Sequence, residues 1–475
     1  MENKKKVSFS MKVLILYLCI TGYCLVFFLV GGEDVYLKRV HTESINEVDN
    51  VGELFDGDSV EETFISNALQ LTSIKLKIGT YDRQNTGFLN VQILDDSQEL
   101  GSVQISTASL VNGNNTIEFD KPIAVEENSR YKLKVTSEGG AAGNAVTVYY
   151  GTASSNCVQL VSKSNVLNNQ ELMCVIYGKV HDPLGIILAY GTIVFLIALG
   201  IYLLHMIRSE KKGKRTIGMD VLNAYHRYSF LMQQLVSREF KVRYKRSVLG
   251  ILWSFVNPML TMLVQFFVFT LIFKSSIPNY IVYLLIGITF FNFYSEATNG
   301  GLLSIIANAT LIKKVYVPKY IYPLSQVFSA SINFGISLIL MFGVSFICGI
   351  YPNKFMLLIP FAIISSFVLN IGVSFLLATG MTFFRDVQFM YSVFMTALTY
   401  ATPMFWDMSM IPDKYTWIFK INPLADIIIF MRNIILNNIY PGTDLVYLMI
   451  GIPLIFLMVG LWVFRKNQDN FILYI

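Results

Sequence analysis

The 475-residue chain is 54% hydrophobic and only 15% charged, and it carries a net charge of +5. This balance is too apolar for an ordinary soluble globular protein, so it indicates a membrane protein. Eight apolar runs are long enough to cross a bilayer, which takes about 20 helical residues. The predicted spans are 11–31, 184–206, 250–273, 280–305, 321–350, 354–383, 388–405 and 443–464.

The N-terminal residues 1–10 carry three lysines, so they are expected to stay in the cytoplasm. Basic residues also cluster in 208–246, in 306–320 and directly after Phe464. With eight spans, all these regions fall on one side of the membrane, and both termini are therefore predicted to be cytoplasmic. The run 11–31 is also compatible with the core of a cleaved signal peptide, although it is long for one.

Residues 32–182 lie between the first two spans, and in them acidic residues outnumber basic ones. We expect this segment to be an extracytoplasmic domain, because long domains translocate largely regardless of charge. Its beginning, 41–62, is acidic and polar, and it is interpreted as a linker or stalk.

From about 63 to 178 apolar and polar residues alternate, which is typical of β-strands. In SIKLKIGTY, for example, Ile74, Leu76 and Ile78 lie on one face. Turn-forming segments such as DRQNTG and EGGAAGN separate the strands, so an all-β antiparallel sandwich is predicted. Such sandwiches often bind sugars, but a spacer or protein-docking module is an equally good interpretation.

Two of the five cysteines, Cys157 and Cys174, lie in this domain on neighbouring strand-like segments. A disulfide between them is predicted because it would persist outside the cytoplasm, and an unbonded buried pair is the alternative. The four histidines are scattered, so no metal site is expected.

After the second span, residues 207–249 form a basic segment. Between Tyr225 and Leu249 apolar residues recur at helical spacing, which predicts an amphipathic helix along the inner membrane surface. Its basic residues either fix the orientation and attract acidic lipids or help to form a docking surface for a cytoplasmic protein. They are Arg238, Lys241, Arg243, Lys245 and Arg246.

The sequence carries no motif for nucleotide binding or covalent chemistry: it has no G-x-x-x-x-G-K-[ST], no H-E-x-x-H and no G-x-S-x-G. Glu296 is the only acid well inside a predicted span. It is a functional candidate by default, although helix capping or an interfacial position explains it equally well. Because the spans hold so few charges, ion-coupled transport is hard to support, and a partner is expected to supply the energy for any transport.

Five segments in the second half of the chain carry recognisable motifs. They are LVSREFKVRYKRSVLGILWSFVNPML (235–260), NATLIKKVYVPKYIYPLSQV (308–327), FFRDV (383–387), YATPMFW (400–406) and INPLADIIIFMRNIIL (421–436). In this order and spacing they resemble the ABC-2 type export permeases, in the branch that moves polysaccharides and teichoic acids. The first 210 residues lie outside the common pattern.

The resemblance implies a permease domain of six spans at 250–475, paired with a second copy of itself and with two copies of a separate cytoplasmic ABC ATPase. This chain would bind no cofactor, and ATP and Mg would lie on the partner. A short basic helix from Ala309 to Val315 is expected to receive the push of the ATPase, the alternative being a positive-inside loop without a partner. The predicted contact residues are Leu311, Ile312, Lys313, Lys314, Val315 and Tyr316.

Arg385 and Asp386 in FFRDV are expected in a tight cytoplasmic turn, because a charge at the bilayer centre costs roughly 2.5–3.5 kcal/mol. The outer segment 406–442 is too polar and proline-rich for a clean span, and in the family the corresponding region forms short re-entrant helices. The aromatic residues of this outer mouth are interpreted as interfacial anchors, with guidance of a departing sugar chain as the alternative; they are Trp406, Tyr415 and Trp417.

In the family the first and fifth permease spans line the pore, and aromatic rings there can stack on the C–H faces of a glycan. The candidate lining residues are Trp253, Phe266, Phe269, Tyr391, Phe394 and Leu398. The diphosphate of a lipid carrier needs cations at the inner mouth, and the basic residues of 238–246 are placed for that role.

The sequence therefore predicts a polytopic α-helical membrane protein of about eight transmembrane helices with an inserted extracytoplasmic all-β sandwich domain. Its expected function is export of a lipid-linked polysaccharide or teichoic-acid-like polymer across a bacterial plasma membrane, in contact with membrane lipids and without nucleic acid. The alternatives are an ABC-2 exporter of a lipid or small drug, or a non-transporting receptor with a sugar-sensing outer domain.

Overall fold

The structure is a computed structural model, and it describes residues 9–475 apart from 43–46, 97, 154–156, 164, 168, 213–215, 245–247, 273–276, 316, 409–410 and 412–414. It divides into two compact units. The first comprises Met1–Gly32 and Ile187–Ile475, and the second, called the outer domain below, comprises Glu33–Ile186.

The helices belong almost entirely to the first unit. They are α1 Phe9–Gly31, α2 Pro183–Lys211, α3 Ile217–Tyr244, α4 Trp253–Phe267, α5 Tyr280–Ala307, α6 Ala309–Lys314, α7 Ile321–Ile347, α8 Ile359–Phe383, α9 Val387–Ala401, α10 Thr416–Lys420, α11 Pro423–Ile435, α12 Thr443–Asn467 and α13 Phe471–Tyr474. A 3₁₀ turn at Gly250–Leu252 precedes α4, and a π-helical turn at Val268–Ile272 extends it. Another 3₁₀ segment, Lys354–Leu358, leads into α8.

Within the described residues, seven helical segments have the length and apolar composition needed to cross a membrane. They are Ser10–Val35, Pro183–Lys211, Gly250–Ile272, Tyr280–Ala307, Ile321–Ile347, Lys354–Phe383 and Thr443–Tyr474. The chain thus has the expected polytopic helical architecture.

The eighth expected span, 388–405, is shorter than the sequence suggests. Helix α9 has 15 residues, which rise about 22 Å and fall short of a hydrocarbon core of about 30 Å. Thr402, directly before Pro403, is extended with φ −98° and ψ 132°. This is the conformation that a following proline favours, so the helix ends there.

The outer domain consists of strands that pair antiparallel. They are β1 Leu37–His41, β2 Glu47–Asn50, β3 Ser59–Ile65, β4 Gln70–Gly79, β5 Phe88–Asp95, β6 Gln98–Ser106, β7 Gly113–Ala124, β8 Arg130–Glu138, β9 Thr147–Thr152, β10 Cys157–Ser162, β11 Asn165–Leu167, β12 Gln170–Leu172 and β13 Cys174–His181. One sheet has the order β1-β13-β4-β9-β12, with β2 on β9 and β7 on β4. The other has the order β11-β10-β3-β8-β5-β6. Because β1 pairs with β13, the chain enters and leaves the domain through adjacent strands.

Alternation of side chains builds the core of this sandwich. Ile74, Leu76 and Ile78 of β4 are fully buried, as their spacing predicts. The segment 41–62, however, is no linker, since it contributes β2 and the start of β3 and buries Leu54 and Val60 completely. The segment was interpreted as a linker because it is mostly acidic and polar, and only a few of its residues are apolar and enter the core.

Among the seven candidate spans α5 is the most enclosed, and it packs against α7 and α8. Phe293 of α5 stacks on Phe334 of α7 with ring centroids 4.3 Å apart. Helices α8 and α12 pack closely at Gly372 and Gly460, where a Cβ on Gly460 would clash with the Gly372 carbonyl oxygen. Small residues of this kind let membrane helices pack with their backbones in contact.

The first two helices contact each other and, through α1, the rest of the first unit. Val13 of α1 clusters with Leu203 and Met206 of α2. Tyr23 of α1 donates its hydroxyl hydrogen to the Leu358 carbonyl oxygen at 3.3 Å. The Phe27 ring of α1 packs edge-on against Phe361, with centroids 5.8 Å apart.

Candidate functional site

The short helix α6 is tied to the basic helix α3 at its first turn. Asn308, the residue before α6, is buried, and its Nδ2 donates to the Ser304 carbonyl oxygen at 2.8 Å. Its Oδ1 accepts from Arg238 Nη2 of α3 at 2.8 Å. Arg238 also pairs with its neighbour Glu239 at 2.7 Å. Helix α3 begins at Ile217, eight residues before the expected start, and 245–247 of its expected end lie outside the described residues. Helix α6 ends at Lys314, one residue before the expected Val315.

The two faces of α6 have opposite environments. Ile312 is buried in a cluster that joins α3, α5, α7, α8, α12 and α13. Its partners there are Leu235, Ile305, Ile321, Tyr322, Phe375, Ala378, Phe464 and Phe471. One side of α6 is therefore anchored in a buried cluster that includes side chains of six other helices.

Of the six predicted contact residues on and after α6, Lys313, Lys314 and Val315 are exposed and Leu311 is half-buried. Ile312 faces inward, so its role is packing rather than surface contact. Tyr316 lies outside the described residues. The exposed side of α6 is thus small and basic.

A groove of about 920 Å³ lies between the C-terminal half of α3 and the segment that leads into α4. We call it the basic groove, because Arg238 and Lys241 line it together with Leu249, Gly250, Ile251 and Leu252. Two of the predicted diphosphate-binding cations thus line one cavity. The Arg243 side chain, Lys245 and Arg246 lie outside the described part of the chain.

A second cavity of about 750 Å³, the polar cleft, lies between α4, α5 and α7. In it Asn333 Nδ2 donates to Glu296 Oε1 at 2.8 Å, and Ser254 Oγ donates to Asn333 Oδ1 at 3.2 Å. Glu296 is 11 residues before the end of α5, about 17 Å along the helix axis. It therefore lies inside the helix and is not a helix cap.

The six candidate channel-lining residues have different environments. Trp253 lines the polar cleft. The rings of Phe266 and Phe269 pack against Tyr280 and Phe405, at centroid distances of 6.3 Å and 5.1 Å.

On α9, Tyr391 is buried and donates its hydroxyl hydrogen to Thr298 Oγ1 at 2.6 Å. Phe394 is exposed and Leu398 is half-buried. Phe266, Phe269 and Tyr391 therefore have packing partners within their own chain. Phe394 stacks on Tyr391 at a centroid distance of 6.0 Å but keeps exposed ring surface, as does Trp253.

The backbone after α9 is unwound, yet four consecutive carbonyl oxygens are satisfied by side chains. Arg432 donates to the Pro403 carbonyl and, from Nη2 at 3.1 Å, to that of Met404. The carbonyl oxygens of Phe405 and Trp406 accept from the hydroxyls of Tyr280 and Tyr283, at 2.8 and 2.6 Å. Non-helical backbone is tolerated at membrane depth only when its polar groups are paired in this way.

Arg432 was not singled out from the sequence. It is buried, its guanidinium lies 3.3 Å from the Tyr283 ring centroid, and Nη2 also donates to the Tyr283 carbonyl oxygen at 3.2 Å. The available signal was a single charged residue in the largely apolar run IIIFMRNII, because a buried charge needs buried partners.

The three outer-mouth aromatic residues lie in and beside the short helix α10, and the two charged turn residues lie between α8 and α9. The Trp406 ring is half-buried against Phe419, whereas Tyr415 and Trp417 are exposed. Arg385 and Asp386 are exposed in the turn between α8 and α9.

In the outer domain, Cys157 and Cys174 are free thiols, so the expected disulfide is not formed. Cys157 Sγ instead hydrogen-bonds the Gln170 carbonyl oxygen at 3.5 Å. Burial, together with the nearby carboxylates of Glu62 and Glu171, raises the pKa of Cys157 to about 12 and that of Cys174 well above its usual range. Thiols held in the neutral form are poor nucleophiles and react slowly.

Glu62 lies in the interior of the same domain, where Oε2 accepts from the Leu172 backbone N–H at 2.8 Å. Its Oε1 has no hydrogen-bond partner among the described residues. Burial, and then the neighbouring Glu171 carboxylate, raise the pKa of Glu62 to about 8. Sequence reasoning did not single out this residue because it assigned the segment to a linker.

The second half of the chain is similar to a known protein family. Residues 231–436 match the family described as ABC-2 type transporter. An O-antigen export system permease protein RfbA of Klebsiella pneumoniae is 32% identical over 244 residues, which cover 51% of this chain and 93% of the relative.

Two further relatives cover the same share. An RfbA protein of Myxococcus xanthus is 28% identical over 52% of this chain and 95% of the relative. The polysialic acid transport protein KpsM of Escherichia coli is 23% identical over 50% of this chain and 93% of its own length. The outer domain and the first two helices precede the family match.

Proposed function

Since this chain belongs to the ABC-2 type polysaccharide export permeases, and is a multi-pass protein of the bacterial membrane, we propose that it exports a lipid-linked polysaccharide or teichoic-acid-like polymer. Two copies would form the conduit, and a separate cytoplasmic ATPase, which carries ATP and Mg, would drive it. The named relatives, which are O-antigen and polysialic acid permeases, support the polymer class.

The proposed orientation has the N-terminus, α3, α6 and the α8–α9 turn in the cytoplasm and the outer domain outside. Basic residues mark the cytoplasmic side, as the positive-inside rule requires. Helices α8 and α12 both run inward in this arrangement, so α9 together with the unwound segment after it must return the chain to the outer side. The paired carbonyl oxygens of 403–406 make that crossing possible although α9 is short.

The observation that carries the proposal is the two-sided environment of α6. Lys313 and Lys314 are exposed, so a cytoplasmic partner could contact them, while Ile312 is buried in the cluster with residues of six other helices. A force applied to the basic surface therefore reaches the spans through Ile312. No part of the sequence has the nucleotide-binding loop needed to generate that force.

The test is co-purification of the ATPase with the chain, combined with a measurement of glycan at the cell surface. Reversing two charges, Lys313→Glu together with Lys314→Glu, is expected to reduce ATPase association at least tenfold and to abolish export. Both side chains are exposed, so the fold of the variant is expected to be unchanged.

A matched control reverses two exposed lysines at the end of α2, Lys211→Glu and Lys212→Glu, on the same proposed side of the membrane. It is expected to preserve association and export. Equal loss in both double variants would mean that general charge matters, and unchanged association in the α6 variant would contradict the coupling assignment.

A further inference from the structure

The polar cleft contains a stripe of side chains that the coupling scheme does not use. On α5, Asn292, Ser295, Glu296 and Asn299 are spaced three or four residues apart, so they share one face of the helix. Asn292 and Asn299 are exposed, and Glu296 is half-buried and held by Asn333 of α7. The stripe thus presents amide, hydroxyl and carboxylate groups to an open cavity.

In the proposed orientation this stripe lies at membrane depth, because α5 has the length and apolar composition of a membrane span. Counted to Ala307 at the end of α5, Asn292 is 15 residues away and Asn299 is 8 residues away, which correspond to about 22 and 12 Å. Exposed polar side chains at such depth are costly against hydrocarbon, and they normally face protein or a water-filled cavity. The cleft therefore suits water or a polar ligand better than lipid tails.

The side chains also indicate which polar ligand fits. A carboxylate accepts charge-assisted hydrogen bonds from hydroxyl groups, and amides both donate and accept. The exposed ring of Trp253, on the rim of the cleft, offers apolar area for the C–H face of a pyranose. Glu296 would repel a phosphate, so the matching ligand is a hydroxyl-rich sugar without negative charge.

The cleft adjoins the basic groove along the chain. Leu252 is the last residue of the groove lining at this point, and Trp253 is the first residue of the cleft lining. Cations for a diphosphate and hydrogen-bonding groups for a sugar therefore follow one another, in the order in which these groups occur in a lipid-linked glycan.

We propose that the polar cleft recognises the first sugar after the diphosphate of the exported lipid-linked glycan, with Glu296 and Asn292 as hydroxyl-binding residues. The inference rests on the proposed function and extends it, because it assigns substrate selection to the membrane region of this chain.

The experiment uses the full chain with its ATPase in lipid nanodiscs. Binding is measured for three probes: polyprenyl diphosphate alone, and the same lipid carrying either one hexose or one N-acetylhexosamine. The wild type is expected to bind at least one sugar-bearing lipid more tightly than the bare lipid. Glu296→Gln retains an acceptor for Asn333, and it is expected to weaken the sugar-bearing lipid about tenfold while leaving the bare lipid unchanged.

A second variant, Asn292→Ala, removes an exposed side chain and is expected to act in the same direction without affecting packing. Thr192→Val on α2, where the hydroxyl bonds the Leu188 carbonyl oxygen of its own helix, is the control and should change neither affinity. Equal affinity of the wild type for bare and sugar-bearing lipids, or parallel loss for both in Glu296→Gln, would overturn the cleft assignment alone. Failure of the wild type to bind any of the three probes would instead contradict the proposed function.

Discussion

Raising the pH from 6 to 9 is expected to weaken the outer domain, and Glu62→Gln is expected to remove most of that effect. Glu62 is fully buried in β3, and burial with the nearby Glu171 carboxylate raises its pKa from 4.5 to about 8. A carboxyl whose folded pKa lies above its unfolded value binds its proton more tightly in the folded state. Its stabilisation is complete below the unfolded pKa and is lost as the pH rises through the folded one.

The magnitude follows from the pKa of about 8. The pH lies two units below the folded pKa at pH 6, and each unit is worth roughly 1.4 kcal/mol. The free energy of unfolding of the outer domain is therefore expected to fall by about 3 kcal/mol by pH 9. Glutamine cannot ionise and keeps an oxygen for the Leu172 N–H. The variant is therefore expected to be more stable than the wild type at pH 9 by about 2 kcal/mol.

The measurement is denaturant unfolding of the unit Glu33–Ile186, which has its own hydrophobic core, followed by far-ultraviolet circular dichroism at both pH values. Glu127→Gln, at an exposed position, is the matched control and should keep the wild-type pH dependence. If the wild type and Glu62→Gln lost the same stability between the two pH values, Glu62 would not be the group that holds the proton, and the reasoning would be refuted.

Three further outcomes are expected. Arg432→Lys removes the planar guanidinium that donates to several carbonyl oxygens, so the free energy of unfolding should fall by about 2–3 kcal/mol. We expect a lower Tm and faster amide hydrogen exchange at 402–406. Unchanged exchange in this segment would contradict the role assigned to Arg432. Ile312→Ala leaves a cavity costing about 2–5 kcal/mol, and it should reduce export while the ATPase still co-purifies; loss of association instead would show that Ile312 acts at the surface. After denaturation without reductant, Cys157 and Cys174 should both be alkylated, as measured by intact mass. In the native protein at pH 8 the same two thiols should react only slowly. If both adducts were missing after denaturation, the two cysteines would form a disulfide.

Much of the architecture could be predicted from the sequence alone, because it depends on the properties of individual residues and their spacing. The long spans follow from hydropathy, because each residue contributes its own transfer free energy whatever it packs against. The β4 core positions Ile74, Leu76 and Ile78 follow from alternation, because successive side chains of a strand point to opposite faces. The motifs of 235–436 likewise indicated the family before any contact was known.

What only the tertiary structure decided concerns polar and charged side chains. Glu62 accepts from a backbone N–H that is 110 residues away along the chain, and Arg432 satisfies a carbonyl oxygen 29 residues away. Glu296 lines a cleft only because α4 and α7 pack beside α5. The carbonyl oxygens of the unwound segment after α9 likewise depend on Arg432, Tyr280 and Tyr283, which lie on other helices. Hydropathy depends only on the free energy of transferring each side chain out of water. A buried polar group is stable only if hydrogen-bond partners surround it, and in this chain those partners are distant in sequence. Only the folded structure brings them together.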